Sequence, residues 1–247
     1  MSYLGKLAII TGGSRGIGLD IAKELSKRGA NICILNRDKE NNQKALESLD
    51  LIDPQQKHHG IIADLSNPLE LKHKVEIELK EIKEQLKSNH VDYLIHCAGI
   101  THNQLLLRNS FEKIDQLLQV NLVSPIYLTK LLFKDFMKSP SSRIIFIGSI
   151  ISEKGNKGQC VYAATKSGLE GFNKSLSKEL PITSTCNVIS PGFINTEMSK
   201  EYLTNELLNE IPLKKFGDPK DITKTVLYLI DSNYITGQVI KVDGGLH

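Results

Sequence analysis

The 247-residue chain contains no apolar run approaching the ~20 residues that would span a bilayer, so no membrane segment is expected. Its first strand-like run begins by about Lys6, so no secretory signal is expected. Metal-ligand spacing is missing too. The four cysteines, Cys33, Cys97, Cys160 and Cys186, form no CxxC pair, and three of them lie in or beside apolar runs. Reduced, packed thiols are therefore expected, not disulfides or a metal centre. His58-His59 has no Cys or carboxylate at ligand spacing and reads as surface. A net charge of +3 is mild, and there is no arginine-rich or basic-aromatic tract, which argues against nucleic acid as a partner. No Pro/Gly-rich linker and no short-period repeat divides the chain. What is left is an ordinary composition, 40% hydrophobic and 24% charged, with ample length for one α/β domain spanning 1–247. A home in the mitochondrial matrix or the cytoplasm is expected.

The most informative stretch runs from Ser149 to Lys166 (SIISEKGNKGQCVYAATK). A serine follows the apolar run Arg143–Gly148; thirteen residues on comes Tyr162, and four further on Lys166. Tyr162 and Lys166 share one helical face, one turn apart. A phenol titrates near pKa ~10, too high to exchange protons freely at neutral pH. An ammonium beside it favours the phenolate, so the pair suits general acid/base work. Ser149 adds a hydroxyl aimed at a substrate oxygen. Taken alone, YxxxK equally fits a packed tyrosine and a solvated lysine.

The N-terminal third supplies a nucleotide site. Leu7–Thr11 is a short apolar run ending in TGGSRGIG, followed by a helical pattern (Ile17, Ile21, Ala22, Leu25) that stops at Gly29. Gly12 permits a tight turn; Gly16 and Gly18 let backbone approach a pyrophosphate, and the helix N-terminus offers amides to it. The next strand, Asn31–Asn36, ends without the acid that an NAD site presents to the ribose hydroxyls. It offers Asn36 and Arg37 instead, with Arg15 in the glycine loop, and two guanidiniums suit a 2′-phosphate. Asp38 stands where it caps the following helix. Further strands are expected at Gly60–Ala63, Val91–His96, Arg143–Gly148, Thr185–Ser190 and Gln238–Val242. Asp64, at the end of the third, either accepts from an adenine amine or caps the helix expected at about Pro68–Ser88, whose lysines and glutamates, Glu76 and Lys80 among them, form a solvated face. A continuous helix is expected over about Phe111–Lys138 with Asn121, a poor helix former, in its middle. Met198, Tyr202, Leu203, Leu207 and Ile211 suggest a helical lid within Phe193–Gly217, and a last helix runs Pro219–Ile230. Strands alternating with helices predict one doubly wound, seven-stranded parallel sheet, a Rossmann fold with its ligand at the strands' carboxyl ends.

Assembled, these motifs resemble the short-chain dehydrogenase/reductase family over the whole chain. TGGSRGIG is similar to its cofactor motif, which implies contacts from Gly12, Ser14, Arg15, Gly16, Ile17 and Gly18. Asp64-Leu65 resembles the adenine-contacting pair, Cys97-Ala98-Gly99 part of the usual NNAG, and Pro191, Gly192, Ile194 and Thr196 (PGFINT) the segment that meets the nicotinamide carboxamide. Asn121, Ser149, Tyr162 and Lys166 fall at the family's catalytic tetrad. The resemblance implies that Lys166 lowers the Tyr162 pKa and binds nicotinamide ribose, and that Asn121 holds a water feeding protons through Lys166. His96-Cys97 departs from the family's two asparagines, the first of which braces the central sheet; a ring nitrogen of His96 would have to substitute.

AGITHNQLLLR (98–108), GNKGQCVYAATKSGLEGF (155–172) and YITGQVIKVDGG (234–245) resemble the 3-oxoacyl-acyl-carrier-protein reductases and the related mitochondrial carbonyl reductases. That implies NADPH-dependent reduction of 3-oxoacyl thioesters on acyl carrier protein, in fatty acid synthesis, by a tetramer packed through helices near 111–138 and 161–180 and around the final strand. A homotetramer is expected, with a mixed oligomer as the variant. Lys134 and Lys178 are the implied docking residues for the acidic carrier. A broad carbonyl, quinone or hydroxysteroid reductase and a non-catalytic NADPH-binding subunit are the alternative readings.

Overall fold

The structure is a computed structural model that describes residues 2–197, 199 and 203–246. Seven strands form it: β1 (Leu7–Thr11), β2 (Asn31–Asn36), β3 (His59–Ile62), β4 (Tyr93–His96), β5 (Arg143–Ile147), β6 (Thr185–Pro191) and β7 (Val239–Val242). All neighbours are parallel, in the order β3-β2-β1-β4-β5-β6-β7. The helices are α1 (Gly16–Ser26), α2 (Lys39–Glu47), α3 (Pro68–Gln85), α4 (Phe111–Leu118), α5 (Ser124–Lys138), α6 (Ile151–Lys154), α7 (Cys160–Glu179), α8 (Asn205–Glu210) and α9 (Pro219–Asp231). None of the described helices is long and apolar enough to cross a membrane.

Both faces of the sheet are covered, which is why its strands read as unbroken apolar runs. Within β1, Ala8 and Ile10 join a core with Ile21 and Leu25 of α1 and Ile222 and Val226 of α9. Leu7 and Ile9 point the other way, to Leu71 and Val75 of α3, Phe136 of α5 and Leu169 of α7. Each fully buried Leu, Ile, Val or Phe among them contributes about 1.5–3 kcal/mol. The doubly wound architecture expected from the sequence is the one observed. Strand order reverses beside β1, whose neighbours are β2 and β4, and the crevice at that reversal is where such folds bind ligands.

The long helix expected over Phe111–Lys138 is not continuous. A five-residue π-helix, Gln119–Val123, separates α4 from α5. Pro125 explains it: proline has no N–H to give the carbonyl of Asn121 four residues back, so the α ladder cannot pass through. The Asn121 side chain supports the wide turn. Its Oδ1 accepts from the Ile100 N–H and its Nδ2 donates to the Ile100 carbonyl, both at 2.8 Å.

Other expectations need smaller corrections. α3 stops at Gln85 instead of Ser88, because Lys87 adopts the left-handed φ of 51°. β4 begins at Tyr93, since the buried Asp92 carboxylate is held by the Leu7 N–H and by Lys6, each at 2.9 Å. On α3 the i,i+4 ion pair that forms is Lys74–Glu78, at 3.3 Å. His58 is not surface: half-buried, it accepts the Ile32 N–H at Nδ1 and donates from Nε2 to the Asp50 carbonyl. His59 is half-buried beside it. The four cysteines are free thiols, with Cys33 and Cys186 buried and Cys160 exposed. In the expected lid, α8 carries Leu207 and Ile211 is buried behind it, whereas Met198 and Tyr202 lie outside the described residues.

His96 takes the bracing position in its own way. Its Nε2 lies 3.0 Å from Thr129 Oγ1 on α5, its ring stacks on Phe146 at 4.8 Å, and its Nδ1 is buried without a partner. Burial pushes its pKa down to about 3. The unfolded chain takes this proton below about pH 6.5 and the folded one refuses it, so stability falls as pH drops from about 6.5 towards 3. His96→Asn should flatten the dependence of the urea midpoint on pH across that window. Equal slopes in the variant and the parent protein would assign the acid sensitivity elsewhere.

Candidate active site

A cleft of about 460 Å³ opens at the carboxyl ends of β1, β4 and β5. Every residue expected from the sequence to touch substrate or cofactor lines it, except Asn121. Asn121 stands immediately behind the wall: a Cβ on Gly99 would lie 3.5 Å from both the Asn121 Oδ1 and the Lys166 Nζ.

The nucleotide half is built from β1 and β2. Gly12 has φ +66°, and a Cβ there would come within 2.8 Å of the Ala98 backbone, so only glycine lets the first turn pass the segment that follows β4. Thr11 Oγ1 stitches the same seam, accepting the N–H groups of Cys97 and Ala98 at 3.2 Å each. Arg15 caps α1 with extended backbone and no side-chain acceptor, which leaves the first-turn amides of Gly16, Ile17 and Gly18 directed at the cleft. Arg15 and Arg37 are both exposed on the cleft wall. Asp38, also on the cleft wall, caps α2, accepting the Asn41 N–H at 2.9 Å; that hydrogen bond holds its carboxyl below the usual range. Asp64 does not cap α3. Its carboxylate accepts the Ser66 N–H at 2.8 Å and stays on the cleft, while Asn67 is the cap. Next to it, the Leu65 carbonyl accepts the Ser124 hydroxyl.

Ser149, Tyr162 and Lys166 meet in the other half. Ser149 Oγ accepts the Ile151 N–H at 3.2 Å, which fixes the side chain and leaves its proton free. Burial raises the Tyr162 phenol, and the neighbouring Ser149 hydroxyl draws it back down. Lys166 donates to the Ile147 carbonyl at 2.8 Å, with Nζ 5.7 Å from the centre of the Tyr162 ring. Its own pKa is pushed down to about 8 by burial. In this state the group that lowers Tyr162 is Ser149 and not Lys166, because the ammonium faces the ring and a carbonyl. The protein stands ready as an acid: Tyr162 holds its proton at neutral pH, beside a lysine still mostly charged.

That gives a pH prediction. The kcat/KM for ketone reduction should be level through neutrality and fall as pH rises through about 8, where Lys166 loses its charge; the alkaline limb belongs to the free protein. A profile flat to pH 9.5 would remove Lys166 from the chemistry. The same depressed pKa makes the unfolded chain hold more protons between about 8 and its ordinary 10.5, so this lysine's burial penalty is relieved, and stability rises, across that window.

The cleft also contains residues that sequence reasoning missed. Gln116 and Val120 reach it from α4 and the π turn, one helical turn apart, a spacing that was available as a signal. Phe193 and Ser199 line the far side; Ser199 Oγ sits 3.0 Å from both the Thr196 N–H and its hydroxyl. The Gly192 N–H donates to the Val242 carbonyl at 2.9 Å, tying the PGFINT segment to β7. Lys134 and Lys178 are exposed but remote: α5 and α7 run away from the site, which puts them roughly 20 and 24 Å along the helix axes from Asn121 and Tyr162.

Comparison with known proteins gives a consistent pattern. Residues 6–207 match the short chain dehydrogenase family. Carbonyl reductase family member 4 of Xenopus laevis is 39% identical over 244 residues, covering 98% of both chains. The 3-oxoacyl-acyl-carrier-protein reductase of Haemophilus influenzae is 39% identical over 250 residues, again covering 98% of both. Among solved structures, a short chain dehydrogenase from Burkholderia cenocepacia in complex with NADP superposes with a TM-score of 0.89 at 26% identity, covering 100% of this chain and 99% of that one.

Proposed function

The chain belongs to the short-chain dehydrogenase family, and from that premise we propose that it reduces 3-oxoacyl thioesters carried by acyl carrier protein to 3-hydroxyacyl thioesters, using NADPH. The observation that carries the reading is the convergence in one cleft of Ser149, Tyr162 and Lys166 with a two-arginine nucleotide end. The residues present fit that cofactor. Uncapped first-turn amides and a glycine turn await a pyrophosphate, and a buried Asn36 Nδ2 without a partner lies beside Arg37.

When bound, the nicotinamide supplies the hydride; everything else is the work of the side chains. Ser149 and Tyr162 donate hydrogen bonds to the ketone oxygen and stabilise the charge that develops there. Tyr162 gives up its proton to that oxygen. Lys166, one turn away, then offsets the charge left on the phenol. The Asn121 amide is engaged with Ile100 and, at 3.4 Å, with Thr165, so a water held by this residue sits on its main-chain carbonyl, the one that Pro125 leaves without an α-helical donor. From there a proton returns to Tyr162 through Lys166.

A carrier protein of this kind is acidic, and basic residues around the substrate's path speed its encounter. We assign that role to Lys134 and Lys178. Because both lie far from the cleft of their own copy, they serve the cleft of a neighbour in a homotetramer built through α5 and α7. Lys134→Glu with Lys178→Glu should raise KM for carrier-bound substrate several-fold and leave a small thioester mimic unchanged, and the parent protein's KM for the carrier should rise with salt. If the two substrates respond alike, the carrier is not the partner, and a general carbonyl reductase becomes the better description.

A further inference from the structure

Asn36 ends β2 on the cleft wall beside Arg37, and its Nδ2 is buried with no acceptor. Which way that amide points is decided by a residue outside the cleft. Asn42, buried on α2, donates from Nδ2 to the Ile34 carbonyl at 3.0 Å and to the Asn36 Oδ1 at 2.9 Å. The Ile34 carbonyl can only accept, so it fixes the Asn42 amide with its NH2 group towards β2. The second proton of that group then requires an acceptor from Asn36, which turns the Asn36 oxygen to Asn42 and its NH2 group away. A main-chain carbonyl thus sets one amide, which sets the next, and the outcome is a donor at the nucleotide end of the cleft where an acceptor would otherwise be equally available.

We propose that Asn42 is a positioning residue for cofactor choice: it locks Asn36 as a hydrogen-bond donor to the 2′-phosphate of NADPH, alongside Arg15 and Arg37. The inference rests on the NADPH reading above. A phosphate oxygen only accepts, so a donor is rewarded and a carbonyl oxygen is repelled. The ribose hydroxyl of NADH both donates and accepts, so it is nearly indifferent to the same turn.

The two substitutions at Asn42 therefore have different signatures. Asn42→Ala frees Asn36 to rotate. Asn42→Asp replaces the donor by a group that only accepts, so Asn36 must turn its NH2 group to Asp and its oxygen to the cleft. The dissociation constants of NADPH and NADH would be measured by nicotinamide fluorescence, which no tryptophan in this chain obscures, with thermal unfolding run in parallel. Asn42→Asp should weaken NADPH roughly tenfold or more while NADH is unchanged or tightened, and Asn42→Ala should fall between it and the parent. Equal losses for both cofactors, or an unchanged ratio in a folded variant, would overturn the assignment. Should Asn42→Asp fail to fold, the ratio in Asn42→Ala decides alone. A parent protein that binds NADPH no better than NADH overturns the NADPH reading itself. A parent that prefers NADPH, with variants that keep the preference, overturns only the role of Asn42.

Discussion

Tyr162→Phe is expected to lower the rate of ketone reduction by about 10²–10⁴-fold, the range for loss of a general acid. The substitution keeps the ring, and with it the 5.7 Å approach of Lys166, and deletes only the hydroxyl. Among the described residues no other group is placed to take over. Ser149 Oγ stands beside the phenol, but an aliphatic hydroxyl is a far weaker acid than a phenol and would leave an alkoxide no more stable than the one it protonates. Lys166 is engaged by the Ile147 carbonyl at 2.8 Å. Cys97, which neighbours Lys166, has a thiol pushed up to about 12 by burial and is inert as a relay. Because the nucleotide end of the cleft is untouched, NADPH should bind as before. Steady-state rates beside a fluorescence titration separate the two effects, and near-parental turnover would eliminate Tyr162 as the proton donor.

The second large effect is expected at Arg37→Asp. The guanidinium is exposed on the cleft wall, with no packing role to lose, and Asp38 next to it is already committed to the α2 cap. Replacing it removes charge-assisted hydrogen bonds, each worth about 1.5–3 kcal/mol, and sets an anion against the 2′-phosphate. NADPH should weaken by roughly 10²-fold or more. NADH, lacking that phosphate, should lose little and stands to gain a partner for its ribose hydroxyls. Parallel losses would show that Arg37 holds the turn and not the cofactor.

The sheet was legible because each strand is an apolar run bounded by a turn, and because the glycine loop and the serine sit at carboxyl ends of strands, with the Tyr-Lys spacing on the helix that follows. Physics of short range fixes those features. What escaped depends on partners distant in sequence. The π turn at Asn121 is completed by Ile100, 21 residues earlier, although Pro125 four residues on was a local sign that the helix could not run through. His58 reads as surface until β2 and β3 are placed side by side, when Ile32 comes to lie against it. The state of Tyr162 was also partly hidden. The spacing puts Lys166 near the ring, but the direction of its Nζ, towards the Ile147 carbonyl, follows from how α7 seats against β5.

The most direct measurement is the oxidation of NADPH and of NADH, followed separately at neutral pH, with acetoacetyl thioester as substrate. Ser149, Tyr162 and Lys166 in one cleft with Arg15 and Arg37 predict turnover with NADPH, much slower turnover with NADH, and loss of both in Tyr162→Phe. No reduction with either cofactor by a folded protein that binds NADPH, or equal rates with the two, would contradict that assignment.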